Sequence, residues 1–385
     1  MKIIVFSAFY HPLKGGYVNS VAALVEQLAK QNHQVAIVTT NTHNSPQIEI
    51  TKNIHIFRLP CWNPQFLNGS FPLLKPTISS IKILRNLAAE RWDIVNTQTR
   101  FYPTSWIGFV FAKIKKIPLV HTERGSSHTI VNSKIIRFCN KSIDHSIGSL
   151  IVKKAQKVVG VSQECCEFTK HLGAKCPVRI PNGVDSKLFK PSPKQKIKEK
   201  FTKEIIIIFT GRLVFGKGIQ DLIDVFGNII GRFPNIMLFI VGDGNYLSKL
   251  QKKVSDLGLK EKIIFFGEKT RAQIARLLAA SDIFVNPSYS EGLPTSVLEA
   301  GASGLAVIAS DVGGTREIIV NGNLGEIVPP KNTEVLENAL VRMISNTKRK
   351  EIGSSLADFI KNNFDWQIVG QQYQKLFYDC LAEKR

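Results

Sequence analysis

No apolar run in this 385-residue chain is long enough to cross a bilayer. The longest, such as Glu204 to Thr210 and Met237 to Val241, are strand-sized, well short of the ~18–20 residues a spanning helix needs. The opening Met-Lys-Ile-Ile-Val-Phe begins as a leader peptide would. Its apolar stretch ends at His11-Pro12 with no small-residue cleavage site after it, so we read a buried first strand. Cysteine is sparse: Cys61, Cys139, Cys165, Cys166, Cys176 and Cys380 form no C-x-x-C pair with metal spacing, and we read them as buried thiols of a reducing cytoplasm. There is no solenoid-length repeat and no low-complexity tract. Helix-turn-helix, zinc-finger and RNA-recognition signatures are missing, so no nucleic-acid partner is expected. Acidic residues are scarce in the first half. Residues 1–180 carry 23 Lys/Arg against 8 Asp/Glu, net +15, while the remainder carries +6 of the total +21. Such an excess implies an anionic partner surface, or simply a solvated basic one.

Hydrophobic residues make up 44% of the chain, enough for two cores, and strand-period and helix-period segments alternate along most of it. Lys2 to Phe9, the Gly15-Gly16 turn, a helix from about Val18 to Lys30 and the strand Gln34 to Thr40 make a βαβ unit. Strands at Asp93 to Thr97, Pro118 to His121 and Lys157 to Val161, with helices at Thr104 to Lys115 and Ser149 to Lys157, continue one doubly wound α/β domain. The Lys-rich, Pro-bounded stretch 191–203 reads as linker and helix. A second α/β unit begins at Glu204 and recurs through Ile236 to Val241, Ile263 to Phe266, Ile283 to Asn286 and Ala306 to Ala309. The expected class is α/β with two Rossmann-like domains, 1–180 and 181–365, facing across a cleft, where strand carboxyl ends bind ligands. Trp366 to Leu381 has helical period; the pattern alone lets it close the second domain or return to the first.

Several constellations carry chemistry. Gly15-Gly16, between strand and helix, suits a phosphate approached by backbone N–H groups, or only a turn. Gly211-Arg212-Leu213 and Gly216-Lys217-Gly218 follow a strand and open a helix. A planar guanidinium and a compact ammonium there suit a diphosphate, although this is no Walker A motif. In the run 288–301, Glu291 lies in a loop at a strand's end and Glu299 about a turn into the next helix. Carboxylates so placed can hold sugar or ribose hydroxyls, and Gly292-Leu293-Pro294-Thr295 offers backbone N–H groups at a helix start. His121 ends a strand ahead of the polar run 122–127, as at a cleft mouth, or as an ordinary hydrogen-bonded histidine.

Gly15-Gly16, His121, Val161-Ser162, the run Ile180 to Asp185, Gly211-Arg-Leu with Lys217-Gly218, and Val241 to Gly244 occur in that order. Phe266-Gly267, Pro287-Ser288, Glu291-x7-Glu299 and the run Asp311 to Gly314 follow them. Together they resemble family 4 of the retaining glycosyltransferases, also called glycosyl transferases group 1, over nearly the whole chain. The resemblance implies a GT-B fold and transfer of a hexose-type sugar from a nucleotide diphosphate sugar to a lipid-linked or membrane-proximal glycan. It assigns Arg212 and Lys217 to the diphosphate, Glu299 to the ribose, and Glu291 with the backbone after it to the transferred sugar. Gly15 and Gly16 would approach the donor phosphate, His121 the donor sugar, and the loop Gly267-Glu268-Lys269 the base. No metal or other cofactor is implied, because the cations replace it. The helix 366–385 is implied to cross back to the first domain, and the mechanism to be front-face attack with retention. The one departure is Ala306, where many relatives have proline in what reads as a turn.

Basic segments Ile78 to Trp92 and Ile135 to Lys154, with apolar residues at helical spacing, suit a cytoplasmic protein lying on the cytoplasmic face of an anionic membrane, or ordinary core helices. Phe66 to Leu74 reads as an acceptor loop or a packed one. The competing classes are a non-catalytic basic binding module and a nucleotide-sugar-binding, epimerase-like or hydrolytic relative.

Overall fold

The computed structural model describes residues 1–51, 53–63, 71–128, 134–192, 201 and 204–383. They divide into two compact units: Met1–Asn182 with Trp366–Arg385, and Gly183–Asp365.

Unit 1 is built on strands β1 (Lys2–Phe6), β2 (Gln34–Asn41), β3 (Ile48–Thr51), β4 (Ile54–Trp62), β5 (Leu73–Leu74), β6 (Ile94–Gln98), β7 (Leu119–Glu123), β8 (Lys157–Gly160) and β9 (Val178–Arg179). Their order is β3-β4-β2-β1-β6-β7-β8-β9, with β5 on β4. All pairs are parallel except those of β3 and β5 with β4. Parallel strands need crossover helices, and these bury both sheet faces. Alternation decides the face. Ile3, Val5, Val35 and Ile37 enter one core, with α1 (Gly16–Lys30) and the C-terminal helix 366–382. Ile4, Phe6, Ala36 and Val38 enter the other, with α2 (Ile78–Ala89) and α3 (Pro103–Lys115). Trp366, Val369, Tyr373, Phe377 and Cys380 fall on one helical stripe, and all are buried in the first of these cores. Helix α4 (Lys134–Ile143) runs through a π-helical turn, Asp144–Gly148, into α5 (Ser149–Lys154); α6 (Gln163–His171) follows β8.

Unit 2 holds β10 (Ile205–Thr210), β11 (Ile236–Val241), β12 (Ile263–Gly267), β13 (Ile283–Asn286), β14 (Ala306–Ser310) and β15 (Glu326–Val328), all parallel, in the order β12-β11-β10-β13-β14-β15. The order reverses between β10 and β13, and in open α/β sheets ligands bind at the carboxyl ends of strands beside such a reversal. Helices α7 (Ile219–Ile229), α8 (Leu247–Asp256), α9 (Arg271–Ala279), α10 (Thr295–Ala302), α11 (Thr315–Ile318), α12 (Thr333–Ser345) and α13 (Arg349–Phe364) cover the sheet, and α14 is the returning helix Trp366–Ala382. At Gly301 a side chain would meet Leu356 and Ile360 at 2.5–2.8 Å, so α10 and α13 approach closely through that glycine.

The elements differ from the sequence reading in places. β1 stops at Phe6, and the helix after the π turn stops at Lys154. β3 and β4 carry no clear alternation and were not anticipated. β7 runs past His121 to Glu123, because His121, Thr122 and Glu123 are all buried with their polar groups partnered inside the unit. Ala306 heads β14, paired with Ile283, and does not lie in a turn. Cys139 and Cys176 are exposed, so the expectation of buried thiols holds only for Cys165, Cys166 and Cys380. Most of the Lys-rich stretch 191–203, and residues 66–70 of the expected acceptor loop, lie outside the described residues. Among the described residues no helix is long and apolar enough to cross a membrane.

Candidate functional site

Three loops of unit 2 meet at the carboxyl ends of β10, β13 and β14. The first runs from Gly211 through a short 3-10 turn, Phe215–Lys217, to Gly218, which caps α7. Gly218 has φ 66°, and a Cβ there would lie 2.0 Å from the Pro287 carbonyl oxygen. Only glycine lets this loop sit against the one leaving β13. The Tyr289 amide donates to the Gly216 carbonyl at 2.9 Å and ties the two together. The third loop docks likewise: Gly313, φ 55°, would drive a Cβ to 2.4 Å from the Glu291 carbonyl, and the Gly314 amide donates to Gly292 at 2.7 Å.

This docking brings Lys217 and Glu291 together. The Lys217 ammonium lies 2.5 Å from Glu291 Oε1, both side chains being mostly buried. Ser288 donates to the same oxygen at 2.8 Å and lies 2.7 Å from Asn286 Oδ1. Beneath them Thr210 Oγ1, Gln220 Oε1 and Asn286 Nδ2 are buried with no hydrogen-bond partner among the described residues. Arg212 is exposed at the rim.

Helix α10 starts at Thr295 after the buried Leu293 and Pro294, with no side-chain cap on its first amides. Helix α7, capped by Gly218, starts in the same way. Both therefore present the positive end of a helix dipole. Glu299, half-buried in α10, has its carboxyl pushed up to about 7 by burial, with Arg271 pulling the other way. Gly267 ends β12, Glu268 is exposed, and Lys269 Nζ donates to the Phe266 carbonyl at 2.5 Å.

In unit 1, Gly15 (φ 134°) precedes α1, and Gly16 is its first residue; this helix too has no side-chain cap and no acidic residue in its first turn. His121 is fully buried. Its Nδ1 lies 2.8 Å from Thr97 Oγ1 and its Nε2 3.5 Å from Glu123 Oε2. Burial would raise the Glu123 pKa, but Arg100 at 2.9 Å and His121 hold it well below the usual carboxylate range.

Residues given no role from the sequence join these sites. Ser288 and Asn286 orient Glu291, and the Tyr289 hydroxyl donates to Asp221 at 2.9 Å, linking the β13 loop to α7. Ser288, three residues before Glu291, was legible as part of the same run. Arg124, at the end of β7, lies over the Tyr17 ring at 5.9 Å, next to the Gly15-Gly16 turn. Only the pairing of β7 with β6 gives it that position.

Residues 14–188 match the family described as Glycosyltransferase Family 4, and residues 192–366 match Glycosyl transferases group 1. The chain is 31% identical to an uncharacterized glycosyltransferase of Methanocaldococcus jannaschii, over 98% of both chains. It is 27% identical to the UDP-Gal:alpha-D-GlcNAc-diphosphoundecaprenol alpha-1,3-galactosyltransferase of Escherichia coli, over 81% of this chain and 82% of that one. Its fold superposes on a sucrose-phosphate synthase from Thermosynechococcus elongatus with TM-score 0.81 and 21% identity, over 99% of each chain. The two Rossmann-like units are thus those of the GT-B fold, and the chain belongs to the group 1 glycosyltransferases.

Proposed function

We propose that this transferase moves a hexose from a nucleotide diphosphate sugar to a lipid-linked or membrane-proximal glycan, with retention at the anomeric carbon. The observation that carries the donor reading is the 2.5 Å Lys217–Glu291 pair beside two uncapped helix starts. An ammonium has three donors, and Glu291 takes one. The other two remain for a diphosphate, so leaving-group cation and sugar-binding carboxylate stand side by side. Arg212 adds the second cation, and the backbone N–H groups of Gly292 and Thr295 add neutral donors. Stabilising the departing diphosphate is then the main catalytic contribution, with positioning next.

Glu299 takes the ribose hydroxyls, the 267–269 loop the base, and Gly15-Gly16 a donor phosphate. His121 would contact the donor sugar only after leaving Thr97 or Glu123. Two fixed cations make a metal unnecessary at the diphosphate. Adding Mg²⁺ or Mn²⁺ to chelator-treated protein should therefore leave turnover unchanged.

The acceptor side is supported by unit 1. A groove of about 660 Å³ there is lined by Trp62, Leu74, Leu84, Trp106, Ile107 and Ile114, among others. The Lys75 ammonium lies over the Trp62 ring, 5.6 Å from its centroid. On α2, Ile78, Ile81, Lys82 and Arg85 share one exposed face; on α3, Val110, Lys113 and Ile114 do the same. Apolar and cationic side chains on one outward face fit an anionic lipid surface. The name of the Escherichia coli relative, with its diphosphoundecaprenol acceptor, points the same way.

The test is a thermal-shift and hydrolysis screen against UDP-, GDP- and ADP-sugars, followed by transfer assays and product NMR. A ligand of the folded state at a hundredfold excess over Kd should stabilise by about 2.7 kcal/mol. A midpoint unmoved by every nucleotide sugar, or an inverted product, would count against the reading.

A further inference from the structure

Away from the residues assigned to the donor, three histidines of unit 1 converge from separate stretches. His128 follows the loop after β7, His145 lies in the π-helical turn between α4 and α5, and His171 ends α6. One ring nitrogen from each lies within 4.8 Å of the others. The His145 ring centroid is 5.2 Å from that of His128 and 5.4 Å from that of His171.

The arrangement is braced from beneath. Asp144 is fully buried and accepts from Arg100 Nε at 2.9 Å and Nη2 at 3.0 Å. Its Oδ2 lies 2.6 Å from His128 Nδ1. A carboxylate engaged by arginine only accepts, so in the neutral ring the proton sits on His128 Nδ1 and Nε2 has the lone pair. Carboxylate, imidazole and a free second nitrogen are the arrangement that orients metal-bound histidines. Phe168 packs edge-on to His128 at 5.1 Å and beneath Arg100 at 4.4 Å, fixing both. The π turn, a device that recurs at functional sites, carries Asp144 and His145 in succession. His145 and His171 are exposed, so an ion reaches them from solvent.

We propose that His128, His145 and His171 bind one divalent transition ion of the Zn²⁺ type, with Asp144 orienting His128 and a fourth position open to water. Three imidazoles suit such an ion and not Mg²⁺ or Ca²⁺, which take oxygen ligands. Zn–N bonds of ~2.0–2.1 Å place tetrahedral nitrogens about 3.4 Å apart. Rotating the two exposed rings closes the distance from 4.8 Å. The ion would clamp the segment after β7 to the π turn and to α6. This site requires nothing of the proposed transfer reaction.

The full chain, stripped with chelator, is titrated with Zn²⁺ by calorimetry. One equivalent should bind and raise the thermal midpoint. His145→Ala and His171→Ala should each weaken binding by at least about 100-fold, the upper figure for losing even an outer-shell partner. The exposed His43, outside the cluster, serves as control: His43→Ala should bind as the parent does. Because His145 and His171 are exposed, their metal-free midpoints should match the parent's. Co²⁺ in place of Zn²⁺ should give the visible bands of a low-coordinate nitrogen site. Absence of saturable binding, binding unchanged in both variants, or a thiolate-to-cobalt charge-transfer band (from Cys139 or Cys176) would each overturn the proposal.

Discussion

Two side chains carry most of the proposed donor chemistry. Lys217 neutralises both Glu291 and, in the proposal, a diphosphate. Lys217→Ala should lower turnover by about 10²–10³, as loss of a preorganised charge-stabilising group does, with circular dichroism unchanged. Parent-level transfer by the variant would remove the diphosphate role. Glu299 gives a pH test. Its pKa rises from 4.5 to about 7 on folding, so the folded state holds the extra proton between those values. Its contribution to stability is complete below about 4.5, is lost as pH climbs to about 7, and is constant above. Glu299→Gln should flatten that slope in urea melts. A carboxylate accepts from ribose hydroxyls better than a carboxylic acid does. The parent's donor KM should therefore fall as pH rises through about 7, and the variant's should not.

At the scale of elements, backbone geometry sets where charge collects. Helices α1, α7 and α10 each follow a strand's carboxyl end and begin without a side-chain cap. Gly218→Ala would press a methyl group onto the Pro287 carbonyl at φ 66°. We expect a loss of ~1–3 kcal/mol in urea unfolding, with turnover falling as the Lys217 loop is displaced. In unit 1, β6, β7 and the π turn share the buried Arg100, which pairs with both Glu123 and Asp144 at 2.9 Å. Arg100→Ala leaves two buried carboxylates uncompensated and should cost about 3–5 kcal/mol by chemical denaturation. Arg100→Lys should recover little, because a single ammonium cannot reproduce the two-pronged contact with Asp144.

At the scale of the molecule, +15 of the net charge of +21 lies in residues 1–180. The proposed lipid surface predicts co-sedimentation with vesicles rich in anionic lipid at low salt, fading as salt shortens the Debye length below ~10 Å. Lys82→Glu with Arg85→Glu should weaken it by about 2–4 kcal/mol, since each reversal exchanges an attraction of ~1 kcal/mol for repulsion. Binding unchanged by these reversals would sink the α2 assignment. Much was legible before any fold was known. Strands buried on both faces read as continuous apolar runs, and the glycine, cation and carboxylate motifs sit where such strands end. Those features are local and periodic, so the sequence by itself determined a two-unit, mainly parallel α/β protein and the residue types at the proposed donor site. It could not decide what depends on chain segments far apart. Trp366 to Ala382 has a stripe that any hydrophobic face would accept; its periodicity leaves the partner open, and it packs with Ile3, Val5 and Leu24 of unit 1. His121 carried the same polar signature as a loop residue until β7 enclosed it. His128, His145 and His171 carry no recognisable spacing, and only the tertiary structure decided that they meet. A side chain's surroundings are set by which strands and helices become neighbours, and that is a property of the whole chain.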